Sequence, residues 1–319
     1  MSTKETECCG AGVSPAFGVC RRDACTTIAG ANVCRRDACT TIAGANVCRR
    51  DACTTIARAL LILLIALTFY PFAFMVMTSF KDTYQFYHSF WLPSWPPAWE
   101  NYLKAFDNLK FYIWNSILVT GLSISGIVAF STVAGFIFAR YRFPGREFLY
   151  YAMIAMMMIP PVLMLVPAFV WVKQLGLIDS YAVMILPYIA GGQILGIYLL
   201  RGFFSQIDND LFEAAQVDGA GLLRQLWHVG IPLAKPVLGV VAIVSALGVW
   251  NNFIWPLVTT SGEDVMVLTV GMLRYQGKVK GMYGEMLAGF TISAIPLGIV
   301  FTLFTRMFMK GITAGALKA

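Results

Sequence analysis

Long stretches without a single Asp, Glu, Lys or Arg recur along the chain and set its organisation. Six of them are 22 residues between Arg58 and Lys81, 29 between Lys110 and Arg140, 25 between Glu147 and Lys173, 21 between Asp179 and Arg201, 27 between Lys235 and Glu263, and 20 between Glu285 and Arg306. A helix rises about 1.5 Å per residue and the hydrocarbon core of a bilayer is about 30 Å thick, so about 20 apolar residues cross it. A backbone in lipid has to satisfy its own N–H and C=O groups, which makes each stretch a predicted helix. The strands of a membrane barrel would be about ten residues long with alternating polarity, a pattern the chain lacks. A shorter stretch, 83–99, holds Pro93, Pro96 and Pro97 among Tyr and Trp residues and predicts an external loop or a short amphipathic segment near the headgroups. The expected fold is therefore an all-α integral membrane protein with six transmembrane helices.

Composition agrees with that pattern. Charged residues make up 13% of the chain and its mean hydropathy is +0.68, whereas a soluble domain carries about 25% charged residues. An ordinary soluble domain, a coiled coil and a disordered charged chain are thereby excluded. The net charge of +7 changes meaning once it is mapped. Segments 1–58, 140–147, 201–235 and 306–319 hold 17 of the 24 Lys and Arg residues, with net charges of +3, +2, −1 and +3. The alternating set, 81–110, 173–179 and 263–285, holds the other 7 and is neutral piece by piece. The excess of basic residues marks the cytoplasmic side, so both termini are expected on that side of the membrane. Arg140, Arg142, Arg146, Arg306 and Lys310 read as anchors near headgroups, and the bilayer rather than a nucleic acid is the expected partner of the positive charge.

All eight cysteines precede residue 54, and the run VCRRDACTTIAGAN begins at Val19, again at Val33, and a third time at Val47. Identical copies at this period read as a duplicated, poorly ordered tail over 1–58, followed by a transmembrane domain over 59–319. The C-x4-C and C-x8-C spacings have neither a zinc-ribbon loop nor His partners, so no metal is expected. Reducing cytoplasm disfavours disulfides. The first apolar run is too long and too late for a secretory signal.

Within the spans, Tyr70 and Pro71 predict a kink, and Gly121, Ser125, Gly126 and Gly135 offer small surfaces for close helix contact. Asn115 opens the second span, Pro160 and Pro161 lie inside the third, Gly191 and Gly192 follow Pro187 in the fourth, and Asn251, Asn252 and Trp255 lie in the fifth. Broken spans and small residues can line a solute path. Asn115, Pro160, Gly191, Gly192, Asn251, Asn252 and Trp255 are accordingly translocation-path candidates, with helix packing and interfacial anchoring as the competing account of each. Because the charge-free runs carry no Asp, Glu, Lys or Arg, an ion-coupled carrier is disfavoured relative to a transporter whose energy comes from elsewhere.

The segment between the fourth and fifth spans, RGFFSQIDNDLFEAAQVDGAGLLRQLWHVGIPLAKP at 201–236, is the most informative. Asp210 is placed to cap a short helix from Leu211 with Glu213 in its first turn. Gly219 and Gly221 then bend the chain, and a second helix from Leu222 to Val229 is expected to stop at Pro232. Such an element is either a docking surface for a cytoplasmic partner or a plain interfacial loop.

The run Glu213-Ala214-Ala215-Gln216-Val217-Asp218-Gly219-Ala220, followed by Val229-Gly230-Ile231-Pro232-Leu233, resembles the EAA loop of binding-protein-dependent ABC importer permeases. MTSFKD from Met77, Asn115-Ser116, NNFIWPLV from Asn251 and GITAGALKA from Gly311 narrow the resemblance to the shorter, six-span subunit of the maltose-type carbohydrate permeases, over roughly 59–319. Val229 and Ile231 stand where the family often has Ile and Leu. The resemblance implies a second, related permease subunit, two cytoplasmic ATPase subunits that bind ATP and Mg, and an extracytoplasmic solute-binding protein. It also implies an ATPase-coupling loop over about 205–232. Glu213 would face the ATPase, Ala214, Ala215 and Gly219 would let the helix seat, Asp218 would hold the loop, and Ala220 and Pro232 would belong to the same loop. The chain has no G-x-x-x-x-G-K-[ST] phosphate loop, so a non-enzymatic subunit with no cofactor of its own is expected. The implied solute is an oligosaccharide or disaccharide, with glycerol 3-phosphate as the alternative. An ion-coupled secondary transporter and a membrane scaffold that moves no solute are the readings from other classes.

Overall fold

The computed structural model describes the backbone of residues 25–28, 31–34 and 36–316 and the side chains of 57–299 and 302. The chain forms two units, Met1–Pro71 and Phe72–Ala319. In the first, β1 (Cys25–Ile28) and β2 (Ala31–Cys34) make an antiparallel pair with Cys25 opposite Cys34, and α1 (Arg36–Ser79) begins. The residue string of the paired strands, CTTIAGANVC, recurs at 39–48, where the backbone is helical. The second copy is continuous with the apolar run that follows it, and extending a helix is far less costly than nucleating one. The side chains of all eight cysteines, and residues 1–24, 29–30 and 35 of the expected tail, lie outside the described residues.

Apart from that strand pair, the described elements are helices. After α1 come α2 (Thr83–His88), α3 (Glu100–Arg140), α4 (Arg146–Met156), α5 (Pro161–Gln174), α6 (Tyr181–Phe204), α7 (Asn209–Val217) and α8 (Leu222–Gln225). A π-helical turn at Leu226–Gly230 leads into α9 (Ile231–Trp250), followed by α10 (Ile254–Thr259), α11 (Leu268–Lys278) and α12 (Tyr283–Ala316). Among the described residues, four helical stretches are long and apolar enough to cross a membrane: Ala57–Ser79, Glu100–Arg140, Tyr181–Phe204 and Leu222–Trp250. A fifth arises if α4 and α5, bent by 98° at their junction, count as one broken span. The sixth expected span falls on α12, whose side chains beyond 299 are described only at 302.

Helix α3 organises the second unit. It begins at Glu100, before the uncharged run, because ion pairs Glu100–Lys104 at 3.1 Å and Asp107–Lys110 at 2.6 Å join successive turns. Helix α6 lies along it, α9 and α12 pack against it, and α11 covers its first part. The α3–α6 approach is close because glycine permits it: a Cβ built on Gly135 would stand 2.8 Å from the Leu200 Cβ and 3.2 Å from the Arg201 nitrogen, and one on Gly196 would collide with Ser131. Two cores form at opposite ends of α3. One gathers Leu109, Tyr112, Met184, Trp255, Met266 and Tyr275; the other gathers Ile127, Phe136, Leu200, Phe204, Phe212 and Leu226.

The third charge-free run is broken where Pro160 and Pro161 fall. Pro161 opens α5 and Pro160 takes the extended-side φ/ψ of −58° and 129°, as the residue before a proline is forced to do. Pro71, Pro167 and Pro187, by contrast, lie inside continuous helices. The stretch 83–99 forms α2 and an irregular strand of chain, held by Lys81, whose Nζ donates to the carbonyls of Ser89 at 2.6 Å and Phe90 at 2.9 Å.

Candidate functional site

In the 205–232 segment, Ile207 and Phe212 pack into the core that surrounds the end of α3, and Phe212 is the buried residue of α7. That single anchor turns the rest of the helix outward: Glu213, Ala214, Gln216 and Asp218 are exposed and Ala215 is half-buried. Exposure of apolar groups is high beside them, at 50% for Leu211 and 88% for Val217. The helix terminates in a Schellman turn. Gly219 N–H donates to Gln216 C=O at 3.0 Å, Ala220 N–H donates to Ala215 C=O at 2.9 Å, and Gly219 has a φ of +78°, the left-handed conformation that glycine accepts without a Cβ penalty. Beyond it Gln225, buried, donates from Nε2 to the Ala220 carbonyl at 2.8 Å and closes the bend.

Two local expectations change. The first turn begins at Asn209, with Asp208 at the cap position and no side-chain capping bond, so Asp210 lies inside the helix and does not cap it. Nor does Pro232 stop the second helix. Leu222–Trp250 runs on as one helical stretch, because the wider π turn at Leu226–Gly230 sits just where the proline removes a donor and would crowd the preceding carbonyls. Pro232 then stands at the second residue of α9, directly after the π turn.

A cavity of about 610 Å³ lies between α5, α6 and the α9–α10 junction. Gly191, Asn251, Asn252 and Trp255 border it, together with Pro161 and Tyr188. Pro160 is next to a lining residue but is not one itself. The structure does not bring Asn115 or Gly192 there. Asn115 is 3% exposed, and its Nδ2 donates to the carbonyls of Asp264 at 2.8 Å and Met266 at 3.0 Å while its Oδ1 accepts from the Tyr181 hydroxyl at 2.9 Å. Gly192 packs on Ile127, whose Cδ1 would be 2.5 Å from an added Cβ.

The cavity wall is predominantly apolar, and no Asp, Glu, Lys or Arg lines it. Several of its polar atoms are engaged: Asn251 Nδ2 donates to Leu247 C=O at 2.9 Å, Asn252 Oδ1 accepts from the Trp255 backbone N–H at 3.2 Å, and Trp255 Nε1 donates to Val183 C=O at 2.9 Å. Trp255 is only 8% exposed, so it forms wall rather than a free stacking face. Such a site can receive an uncharged molecule and offers a charged one no counter-ion.

The most consequential residue outside the sequence-derived set is Arg140. It reads as a headgroup anchor by position, yet it contacts Ile207, Asn209 and Phe212, partners too distant along the chain for any spacing to reveal. Asp179 and Ser116 are similar cases. The Asp179 carboxylate accepts N–H bonds from Ser261 and Gly262, and Ser116 Oγ accepts the Leu268 N–H at 2.7 Å.

Residues 131–314, which contain both the 205–232 segment and most of the cavity wall, match the family described as binding-protein-dependent transport system inner membrane component. The chain belongs to this family. Among its relatives, the diacetylchitobiose uptake system permease protein NgcG of Streptomyces coelicolor is 33% identical over 82% of this chain and 87% of its own length. The trehalose/maltose transport system permease protein MalG of Thermococcus litoralis is 31% identical over 81% of this chain and 94% of its own. In fold, the binding-protein-dependent component resembles the crystal structure of a bacterial ABC transporter involved in the import of the acidic polysaccharide alginate. The TM-score there is 0.69 at 23% identity, covering 82% of this chain and 98% of that one. As a member of this family the chain is an integral membrane component of a transport system, and its apolar helices are those of a multi-pass protein.

Proposed function

We propose that the chain is the non-hydrolytic permease subunit of an ATP-driven importer that moves an oligosaccharide or disaccharide across the cytoplasmic membrane. It would pair with a second permease, receive solute from an extracytoplasmic binding protein, and dock two ATPase subunits that bind ATP and Mg. Six spans with both termini inside complete the proposal, on the strength of the alternating charge sets.

The observation that carries it is the presentation of α7. Family membership supplies the transport system, and α7 supplies a place for force to enter. It has one buried anchor, Phe212, an outward row with Glu213, Ala214 and Asp218, and a glycine-dependent turn that fixes its end. Sugar is favoured over glycerol 3-phosphate because the cavity has no cation to meet a phosphate and because the relatives named above carry sugars in their names.

The test is ATP hydrolysis and uptake of radiolabelled maltose and diacetylchitobiose by the complex in liposomes, with and without binding protein. Reciprocal coupling requires that loaded binding protein outside stimulates hydrolysis inside. Glu213→Ala and Gly219→Trp should abolish that stimulation and the uptake with it. If both variants retain stimulation and transport, the coupling role of the segment is wrong.

A further inference from the structure

The last turn of α3 presents two side chains to α7. Phe136 and Arg140 are four residues apart and so share a face; the Phe136 ring lies 5.6 Å from that of Phe212, and the Arg140 guanidinium carbon lies 4.1 Å from the Phe212 ring centroid. The same guanidinium donates from Nη1 to the Asn209 side-chain oxygen at 2.5 Å and from Nη2 to the Ile207 carbonyl at 2.6 Å. Its contacts therefore fall before α7, on its first residue and one turn inside it. Its Nε–H is buried with no acceptor among the described residues, so the two Nη bonds and the ring set where the guanidinium sits. A planar fork presents separate donors in fixed geometry to two acceptors while its face covers a ring, whereas a lysine ammonium on a flexible stem imposes no such geometry.

The position of this grip gives it meaning. Helix α3 is the element against which α6, α9, α11 and α12 pack, and α7 is an outward-facing helix with one buried residue. A shift of α7 thus reaches the bundle core through Phe212 and Arg140 without passing along the chain through α8 and the π turn.

We infer that Arg140, with Phe136 beside it, forms a rigid joint that passes movement of α7 to α3, which makes Arg140 a positioning residue of the transport cycle. The inference rests on the reading of the chain as an ATP-driven permease. A joint of this kind governs how much transport each hydrolysis event yields, whereas a merely structural contact governs how much complex is made.

Both quantities are measurable in liposomes carrying the full complex and its binding protein, using radiolabelled maltose and diacetylchitobiose. Arg140→Lys and Phe212→Leu are expected to leave the ATPase subunits bound and hydrolysing ATP, while solute moved per ATP falls roughly tenfold for the arginine variant and less for the phenylalanine variant. Combined, they should lose clearly less than the product of the single effects, since they disable one joint. An unchanged ratio of solute to ATP in both variants overturns the joint, as does an equal loss of uptake and hydrolysis in intact complex. Phe212→Leu keeps an apolar side chain in the core and carries the test should Arg140→Lys fail to assemble. Absence of ATP-dependent uptake by the unaltered complex would instead overturn the permease reading itself.

Discussion

Asp179 holds the loop after α10 by charge. Its carboxylate accepts the Ser261 N–H at 2.5 Å and the Gly262 N–H at 2.9 Å, and those backbone bonds hold the Asp179 carboxyl below its ordinary value. The sign of the pH effect follows. A carboxyl lowered in the folded state stabilises fully above its unfolded value of about 4 and loses that contribution as pH falls through the folded value. Thermal unfolding in detergent, followed from about pH 7 to about pH 3, should show this loss, and Asp179→Asn, which keeps the acceptor oxygen but cannot titrate, should flatten the acid limb. An identical acid limb in the variant would remove Asp179 from the account. Nothing near Asp179 in sequence announces this bond, because its partners are 82 and 83 residues away. Asn115 shows the same limit. Its residue type allowed either helix packing or a solute contact, and the carbonyls that engage it lie 149 and 151 residues on.

At the scale of elements, the charge-free runs located apolar helices well and their breaks poorly. Absence of charge reports hydrocarbon compatibility and is blind to geometry: Pro160 and Pro161 mark a break in the third run but not its angle of 98°, and Pro232, in the charged segment 201–235, marks a stop where a π turn instead lets the helix continue. The early start of α3 was hidden for the opposite reason, since Glu100, Lys104, Asp107 and Lys110 look like loop until they pair along a helix. Small residues were more legible. Gly135 reads as a helix-contact residue and faces Leu200 and the backbone of Arg201. Gly135→Val should push α6 away from α3 and lower stability in detergent by about 1–3 kcal/mol, the cost of overpacking against backbone that cannot rotate aside. Gly121→Ala is the control, with nothing within 4 Å of its added Cβ. Equal melting temperatures for the two variants would contradict the packing described.

At the scale of the whole molecule, the family was legible in the EAA run because such a motif is a local string, whereas the cavity was only half legible. Gly191, Asn251, Asn252 and Trp255 come together from two helices and a junction, while the other candidates of similar chemistry are spent on packing. Orientation is the property that charge arithmetic alone addresses, with +7 on one set of segments and zero on the other. The chain carries its own probes of it, since all eight cysteines precede residue 54. If the basic set faces the cytoplasm, an impermeant maleimide added to right-side-out vesicles should leave the protein unlabelled, and the same reagent should label it once the membrane is opened with detergent. A cysteine placed at Glu263, in a variant with the native cysteines replaced, should react from outside without detergent, since that residue is exposed and belongs to the neutral set. Labelling of the native cysteines in sealed vesicles, with Glu263→Cys protected, would invert the assignment and place α7, with Glu213 and Asp218, on the side of the membrane where no ATP-binding partner could reach it.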